Sequence, residues 1–447
     1  MIVENILISL IIGLVYFLFL KKDIHIFQLE EYKTMNFFKW VNRNRRVYIQ
    51  YFLIGIVTLI IVRINIHTIN SNILLYIIGI CIIALQMFQI NKQNQAPLKK
   101  EIKYTARVIR IITITVIIFI IEILIALLFE TVIYILLSIL GIMSIINIIL
   151  ANILLIPIQK LINLRYILSA KNIISKRDDL IVIGITGSYG KTSTKFILET
   201  ILSEKYNVLA TPNSYNTTLG NVRTVREKLT DEHQILISEM GARRTGDIKE
   251  ICDIVRPKYG IITSIGKQHL ETFKNIDNIV KGKYEIIDNL PEDGVAFFPA
   301  DNEYTYELYL EEERKKYLYG FENEDIKLDL AVKDIRVSEA GSTFILFNNN
   351  ESIECTTQLL GEHNALNILG CAAIALELGL SFEEIKIGIS KIEPIEHRLQ
   401  IMPNNNGTIV LDDSFNSNPN GTKVALKVLS GFTGRKIIIT PRYDRIR

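Results

Sequence analysis

The sequence predicts an N-terminal α-helical membrane bundle, then an α/β P-loop domain, then a smaller and partial α/β unit. Three observations lead there. Apolar runs long enough to cross about 30 Å of hydrocarbon crowd the first third of the chain. The stretch ITGSYGKTSTK, residues 185–195, has the glycines, lysine and threonine of a phosphate-binding turn. Beyond it, short buried-strand patterns alternate with helical ones. Composition sets the outer bounds: 447 residues leave room for two or three domains, and 49% hydrophobic residues with a mean hydropathy of +0.27 is too apolar for an ordinary soluble enzyme. A net charge of +3 from 50 basic and 47 acidic residues gives no global field, which argues against a nucleic-acid partner. Cys81, Cys252, Cys355 and Cys371 form no CxxC pair, so neither a zinc site nor a disulfide framework is indicated, and a reducing compartment fits.

The five apolar segments of the membrane domain run at 5–20, 48–62, 73–90, 111–129 and 131–156. The first is short enough for a cleaved signal peptide, but it lacks a basic n-region and a small-residue cleavage site and precedes Lys21 and Lys22, which favours an anchor. Basic residues then set the orientation. Lys21, Lys22, Lys33, Lys39, Arg43, Arg45 and Arg46 follow the first segment, only Arg63 follows the second, and Lys92, Lys99, Lys100, Lys103, Arg107 and Arg110 follow the third. That alternation predicts a multi-pass protein of the plasma membrane, N-terminus outside, with everything after Leu180 on the cytoplasmic side, where ATP is. Phe27, Tyr32, Phe37 and Trp40 suit either a helix at headgroup level or a plain loop. Glu122 lies inside the fourth segment, where a charge is costly, and should face the bundle interior; a structural hydrogen bond fits it better than a transport relay, since the segments hold no evident ionisable partner. Residues 157–179 mix apolar and cationic positions at helical spacing, as an interfacial linker would.

LIVIGI, residues 180–185, reads as a buried strand, and KTSTKFILETILSEK as a helix that follows the glycine turn. Strand, loop and helix is the context a P-loop requires. Gly184, Gly187 and Gly190 let backbone N–H groups turn on phosphate oxygens, and the helix N-terminus adds its positive dipole end. Gly187, Ser188, Gly190, Lys191, Thr192 and Ser193 are the predicted nucleotide-binding positions, with Lys191 on the β and γ phosphates and the Thr192 hydroxyl on Mg²⁺. Ile185 stands where a strict Walker loop has its first glycine. A chance glycine-rich turn is the competing reading, and GKT opening a helix weighs against it. Downstream, HQILISEM reads as a buried strand ending at Glu239, a place from which a carboxylate can hold a metal opposite the phosphates. His269 follows another apolar strand and Lys283 lies on a predicted helix; two strand-end ligands around one nucleotide point to more than one metal ion.

In order and spacing, TGSYGKTSTK, TPNSYNTTLGN, SEMGARRTGDI, HLETF, KGKYEI, GEHNALNILGCAAIALELG, EHRLQ and DDSFNSNP resemble the Mur ligase family, the ATP-dependent amide ligases of cell-wall (peptidoglycan) precursor synthesis, over about 181–440. The resemblance implies an α/β P-loop Mur-ligase central domain at 181–396 and a partial Rossmann-like C-terminal domain at 397–447, which follow the membrane domain at 1–157 and the linker at 158–180 read from the apolar segments. It implies that a carboxylate attacks the ATP γ-phosphate to give an acyl phosphate, which an amine captures as an amide. The member it most resembles adds D-alanyl-D-alanine to UDP-N-acetylmuramoyl-tripeptide. By the same resemblance Lys191, His269 and Lys283 are catalytic, and Thr192, Glu239, His269 and Lys283 serve two Mg²⁺ ions, Lys283 as a carbamate. A neutral lysine amine can capture CO₂ and become an anionic oxygen ligand; the alternative for Lys283 is a salt bridge to Glu285. His363 and Asn364 resemble the adenine-side contact, Arg398 offers a fork for phosphate oxygens and Asp413 reaches the ribose, unless the last two are structural ion pairs. Tyr215, Asn216 and Thr217 face the acceptor pocket or form a plain polar loop.

Two departures qualify the substrate. Soluble members carry a uridine-nucleotide domain where the membrane bundle stands here, so a lipid-linked carboxylate or a poly-γ-glutamate type product is an alternative to a muramoyl peptide. At the other end, TIVLDDSFNSNPNGTKVALKVLSGFTGRKIIIT predicts strand, helix and strand, with Asn418 and Pro419 opening the helix. So little sheet buries little apolar surface. The expectation is a truncated or frameshifted reading frame, which would leave ATP binding intact and turnover in question, as in a non-catalytic ATP-binding membrane protein. An ATP-driven transporter fits less well: no LSGGQ-like signature is present and one glutamate makes a poor pathway.

Overall fold

The computed structural model describes residues 2–46, 48–50, 53, 101–128, 130–402, 407–414 and 419–440. The segment predicted at 73–90, most of that at 48–62, and Asn418 lie outside the described residues. The chain divides into two compact units, 1–162 and 163–447.

The first unit is helical: α1 (Ile2–Leu29), α2 (Thr34–Arg43), α3 (Ala106–Leu128) and most of α4 (Glu130–Ile174). Two stretches, Ala106–Leu128 and Ile142–Ile174, are long and apolar enough to cross a membrane. Of the segment that carries Phe27, Tyr32, Phe37 and Trp40, Thr34–Arg43 forms the helix α2, which buries Phe37 while Met35 and Phe38 stay exposed. On α3, Val108, Ile111, Thr115 and Phe119 recur at helical spacing and point inward, whereas Ile109, Ile117, Ile120 and Leu124 are exposed. Both faces of α3 are therefore apolar. Pro157, where the linker was expected to begin, does not end α4. Within the unit Tyr16 stacks on Phe119 with ring centroids 3.8 Å apart. Asn147 donates to the Tyr16 hydroxyl at 3.1 Å and to Glu122 Oε2 at 2.8 Å, so Glu122 has the structural hydrogen bond expected of it.

The second unit is built on a nine-stranded sheet. In chain order it holds β1 (Ile181–Thr186), α5 (Lys191–Leu202), β2 (Val208–Ala210), α6 (Thr218–Glu227), β3 (Ile235–Glu239), α7 (Asp247–Val255), β4 (Tyr259–Ile262), α8 (Leu270–Phe273), α9 (Ile276–Asp288), β5 (Val295–Pro299), α10 (Glu303–Glu311), β6 (Lys315–Phe321), β7 (Leu330–Ser338), β8 (Gly341–Phe347), β9 (Ser352–Thr357), α11 (Glu362–Glu377) and α12 (Phe382–Ser390). The strand order is β2-β3-β1-β4-β5-β6-β7-β8-β9, parallel as far as β7 and antiparallel from there. Parallel strands covered on both faces read as continuous apolar runs, which is why IVIGIT and ILISE are legible as strands. Alternate residues serve opposite faces. Ile183, Ile185 and Phe297 pack with Ile197 and Leu198 of α5 and Leu369 of α11, whereas Val182, Leu236 and Phe298 pack with Ile251 of α7 and Ile286 of α9. Each such side chain taken fully out of water contributes about 1.5–3 kcal/mol. Ala170 and Ile174, in the last turns of α4, join the second of these clusters.

Because α5 carries the chain from β1 to β2 on one side while β3 is followed by β4 on the other, a crevice opens beyond the carboxyl ends of β1, β3 and β4. That is where open α/β sheets bind ligands.

Past α12, β10 (Gln400–Met402) and β11 (Val410–Asp412) form an antiparallel pair, and α13 (Pro419–Gly431) follows. The strand predicted at the end of that sequence is not formed. Residues 435–440 have no regular structure, and Ile437, Ile438 and Ile439 are 67%, 61% and 95% exposed. An apolar run becomes a strand only when a neighbouring edge supplies its hydrogen bonds, and β10–β11 does not extend to it.

Candidate active site

The turn between β1 and α5 is shaped by two glycines. Gly187 has φ +151°, and a Cβ there would stand 2.0 Å from Thr263 Oγ1; Gly190 has φ +83°, and a Cβ would stand 2.9 Å from Asn367 Oδ1. Only glycine fits either position. Gly190 is also the N-cap of α5, and no side chain caps that helix, so its first backbone N–H groups face the crevice with the positive end of the dipole. The predicted cradle is narrower than the motif implies, because the Ser188 and Tyr189 N–H groups are turned away. Ser188 N donates to the Ser264 carbonyl at 2.8 Å and Tyr189 N to Ser264 Oγ at 3.1 Å, while Ser188 Oγ and Gly266 bond each other through the Gly266 N–H and carbonyl. Ser188 thus fastens the turn to the segment after β4.

Lys191, in the first turn of α5, donates to the Gly187 carbonyl at 2.6 Å. Burial lowers its pKa, with Glu239 acting against that and Arg398 with it. Thr192 Oγ1 donates to Glu239 Oε1 at 3.1 Å, so the two predicted metal ligands on different elements are adjacent. Asn216 Nδ2 reaches the same oxygen at 3.1 Å, which places Asn216 at the carboxylate. Glu239 is fully buried and its backbone is held as well, by Thr211 Oγ1 on its N–H and Asn221 Nδ2 on its carbonyl, both at 3.1 Å. The other carboxylate oxygen, Oε2, accepts from Lys195 Nζ at 3.2 Å, and Lys195 is fully buried too.

His269 caps α8 in the left-handed conformation, φ 56°. Its pKa is lowered by burial first and then by Lys283, Arg243 and Lys191, which favours the neutral imidazole. Lys283, on α9, is pushed down to about 7 by burial and by Lys191, with Asp247 and Glu285 pulling the other way. No ion pair joins it to Glu285. That carboxylate instead accepts from the backbone N–H groups of Gly246, at 2.5 Å, and Lys249, at 3.1 Å, at the start of α7. Arg398, just before β10, lies within electrostatic reach of Lys191, Lys195, Glu239 and Asp413. Asp413 follows β11, and its neighbour Asp412 binds His397 Nδ1 at 2.6 Å.

Other predicted residues sit further from this centre. Tyr215 accepts from Arg223 at 3.2 Å on the α6 side, and Thr217 is the N-cap of α6. Asn364 Nδ2 donates to the Leu360 carbonyl at 3.0 Å, and His363 is half-buried, with desolvation pushing its pKa down to about 4. Ser193 lies buried in the first turn of α5. Sequence reasoning missed Lys195, which follows Lys191 by one helical turn, and Asn367, which follows Asn364 at helical spacing and packs on Gly190.

A mixed α/β sheet with a glycine turn, a lysine and a strand-end carboxylate at the carboxyl ends of its strands defines the class of P-loop nucleotide-binding domains. Residues 185–375 match the Mur ligase middle domain. The UDP-N-acetylmuramoyl-tripeptide--D-alanyl-D-alanine ligase of Escherichia coli K12 is 30% identical over 258 residues, 58% of this chain and 57% of that one. Its counterpart from Bacillus subtilis is 30% identical over 263 residues, 58% of this chain and 55% of the relative. Among solved structures, MurF from Acinetobacter baumannii matches with a TM-score of 0.57 at 30% identity, covering 61% of this chain and 59% of that one. The Thermotoga maritima MurF ligase, solved in complex with ADP, shares the fold at 24% identity and a TM-score of 0.56. The chain thus spans little more than half the length of the curated relatives it matches.

Proposed function

We propose that the second unit binds ATP with Mg²⁺ and forms an amide bond between a carboxylate and an amine, adding D-alanyl-D-alanine to a muramoyl tripeptide on the cytoplasmic side of a membrane in which the first unit is anchored. The observation that carries this reading is the contact between Thr192 and Glu239 beside Lys191, at the open N-terminus of α5. The relatives support one substrate over the other: those named above are muramoyl-tripeptide ligases, which favours that product over a poly-γ-glutamate type chain.

In the reaction, a substrate carboxylate oxygen attacks the γ-phosphorus while the bond to the β–γ bridging oxygen breaks and ADP leaves. The amine nitrogen then attacks the acyl carbon, phosphate departs with the C–O bonding electrons, and the nitrogen loses a proton. Little of this needs a protein nucleophile; positioning and charge neutralisation dominate. Lys191 and the α5 N–H groups would hold the β and γ oxygens, and Arg398 would offer a guanidinium fork to the same charge. The donor set suits a hard cation: oxygens of Thr192 and Glu239, a neutral His269 and, were Lys283 carbamylated, one further anionic oxygen. Mg²⁺ bound there would supply charge stabilisation at the phosphates.

The test is phosphate release by the full chain in detergent. We expect release only when ATP, UDP-N-acetylmuramoyl-tripeptide and D-alanyl-D-alanine are all present, and a fall of about 10²-fold or more in Lys191→Ala. Release that depends on glutamate alone would transfer the assignment to the chain-forming ligases, and ATP hydrolysis indifferent to any amine would remove the ligase reading.

A further inference from the structure

Lys195 closes the TGSYGKTSTK run without a role in the nucleotide-binding reading, yet it is one of the largest fully buried side chains of the molecule. A buried ammonium is costly unless paired and hydrogen-bonded. Its two partners are specific. Nζ donates to the Asn213 carbonyl, in the segment between β2 and α6, and to Glu239 Oε2 at 3.2 Å. The Asn213 bond fixes the direction of the ammonium, and the ammonium in turn occupies one oxygen of the carboxylate. The other oxygen, Oε1, is the one that meets Thr192 and Asn216. Glu239 cannot rotate to offer both oxygens to the same point while Lys195 stays in place.

We infer that Lys195 is a positioning residue that makes Glu239 a one-oxygen ligand and thereby selects Mg²⁺ over Ca²⁺ at the nucleotide site. The reasoning is coordination chemistry. Mg²⁺ takes six ligands in a tight octahedron and accepts carboxylates through single oxygens, whereas Ca²⁺ takes six to eight and is favoured by bidentate carboxylates. A carboxylate with Oε2 held by an ammonium meets the first demand and refuses the second. The inference rests on the nucleotide-site reading above but concerns a residue whose hydrogen-bond partners are Asn213 and Glu239.

The experiment is equilibrium binding of a fluorescent ADP analogue to the full chain, with Mg²⁺ or Ca²⁺ as the only divalent ion, for the native protein, Lys195→Met and Lys195→Gln. For the native protein we expect affinity about tenfold or more higher with Mg²⁺ than with Ca²⁺, and in Lys195→Met a ratio reduced to within about threefold, chiefly through tighter Ca²⁺-supported binding. Lys195→Gln keeps a donor for Oε2 without the charge and should retain most of the native ratio, which separates occupation of the oxygen from mere charge. Should Lys195→Met be too unstable to assay, the glutamine variant decides: a ratio collapsed there as well overturns the inference. An unchanged ratio in a folded Lys195→Met also overturns it. Failure of the native protein to bind the analogue with Mg²⁺ would instead remove the nucleotide reading itself.

Discussion

Each unit of the protein holds a glutamate away from bulk water, and the two are held in opposite ways. Glu239 in the α/β unit is fully buried, faces the Lys195 ammonium at 3.2 Å and receives two further hydrogen bonds on its other oxygen. Glu122 in the helical unit is only partly buried and is held by the neutral amide of Asn147. A charged partner keeps a carboxylate anionic inside a protein; a neutral donor satisfies its hydrogen bonding without settling its charge. The difference teaches which carboxylate is built to meet a cation. Glu239 faces an ammonium and directs one oxygen at Thr192, whereas Glu122 is bonded into a Tyr16–Asn147 network that joins three helices.

Glu239→Gln breaks the comparison most severely. It removes the anion and leaves Lys195 buried without a counter-charge, a loss of about 3–5 kcal/mol by analogy with broken buried ion pairs. Adding Lys195→Met should recover most of that stability, because deleting both charges removes the uncompensated one. Chemical denaturation followed by circular dichroism reads both changes. Equal instability of the single and double variants would mean the pair does not couple.

The pH dependence sharpens the same contrast. Lys283 is pushed down to about 7, whereas an unfolded chain holds a lysine proton to beyond pH 10. Between these values the unfolded state binds more protons than the folded one, so apo-protein stability should rise with pH across that window, by at most about 1.4 kcal/mol per unit. Below about 7 the contribution is flat and unfavourable. Lys283→Met should flatten the slope, and the neighbouring Lys191, His269, Asp247 and Glu285 remain to set the residual. With ¹³C-bicarbonate near pH 8, a carbamate carbon should appear in the NMR spectrum of the native protein and not of the variant. Absence of that signal would leave Lys283 a neutral amine in the site.

Much of this centre is legible in the sequence because parallel strands buried on both faces are continuous apolar runs, and Glu239, at the carboxyl end of β3, inherits a predictable position, whereas His269 lies beyond β4 as the N-cap of α8. Lys195 is not legible in that way. As a lysine one turn after Lys191 it reads as an ordinary polar position, and its burial depends on Glu239 and Asn213, which are remote in sequence. Ser188 was likewise assigned to the nucleotide, since nothing in the motif shows that the Ser264 carbonyl would claim its N–H. KIIIT was read as a strand from its apolar run alone, yet strand formation is a property of a pair. In the helical unit the periodicity of α3 identifies its inward face, while Asn147 as the partner of Glu122 requires knowing how two helices meet.

The smallest expected effect lies there. Asn147→Leu would strip the donor from both Glu122 and the Tyr16 hydroxyl, at a cost of about 1–3 kcal/mol if the vacated groups stay out of water. Glu122→Gln keeps an acceptor for Asn147 and should change stability by no more than about 0.5 kcal/mol. Trp40, the single tryptophan of the chain, lies in this unit, so its fluorescence during thermal unfolding in detergent reports the helical unit alone. Nucleotide affinity, read separately, should be unchanged in both variants. If Glu122→Gln instead destabilised the unit as much as Asn147→Leu, the charge on Glu122 rather than its hydrogen bond would be the stabilising feature, and the contrast with Glu239 would disappear.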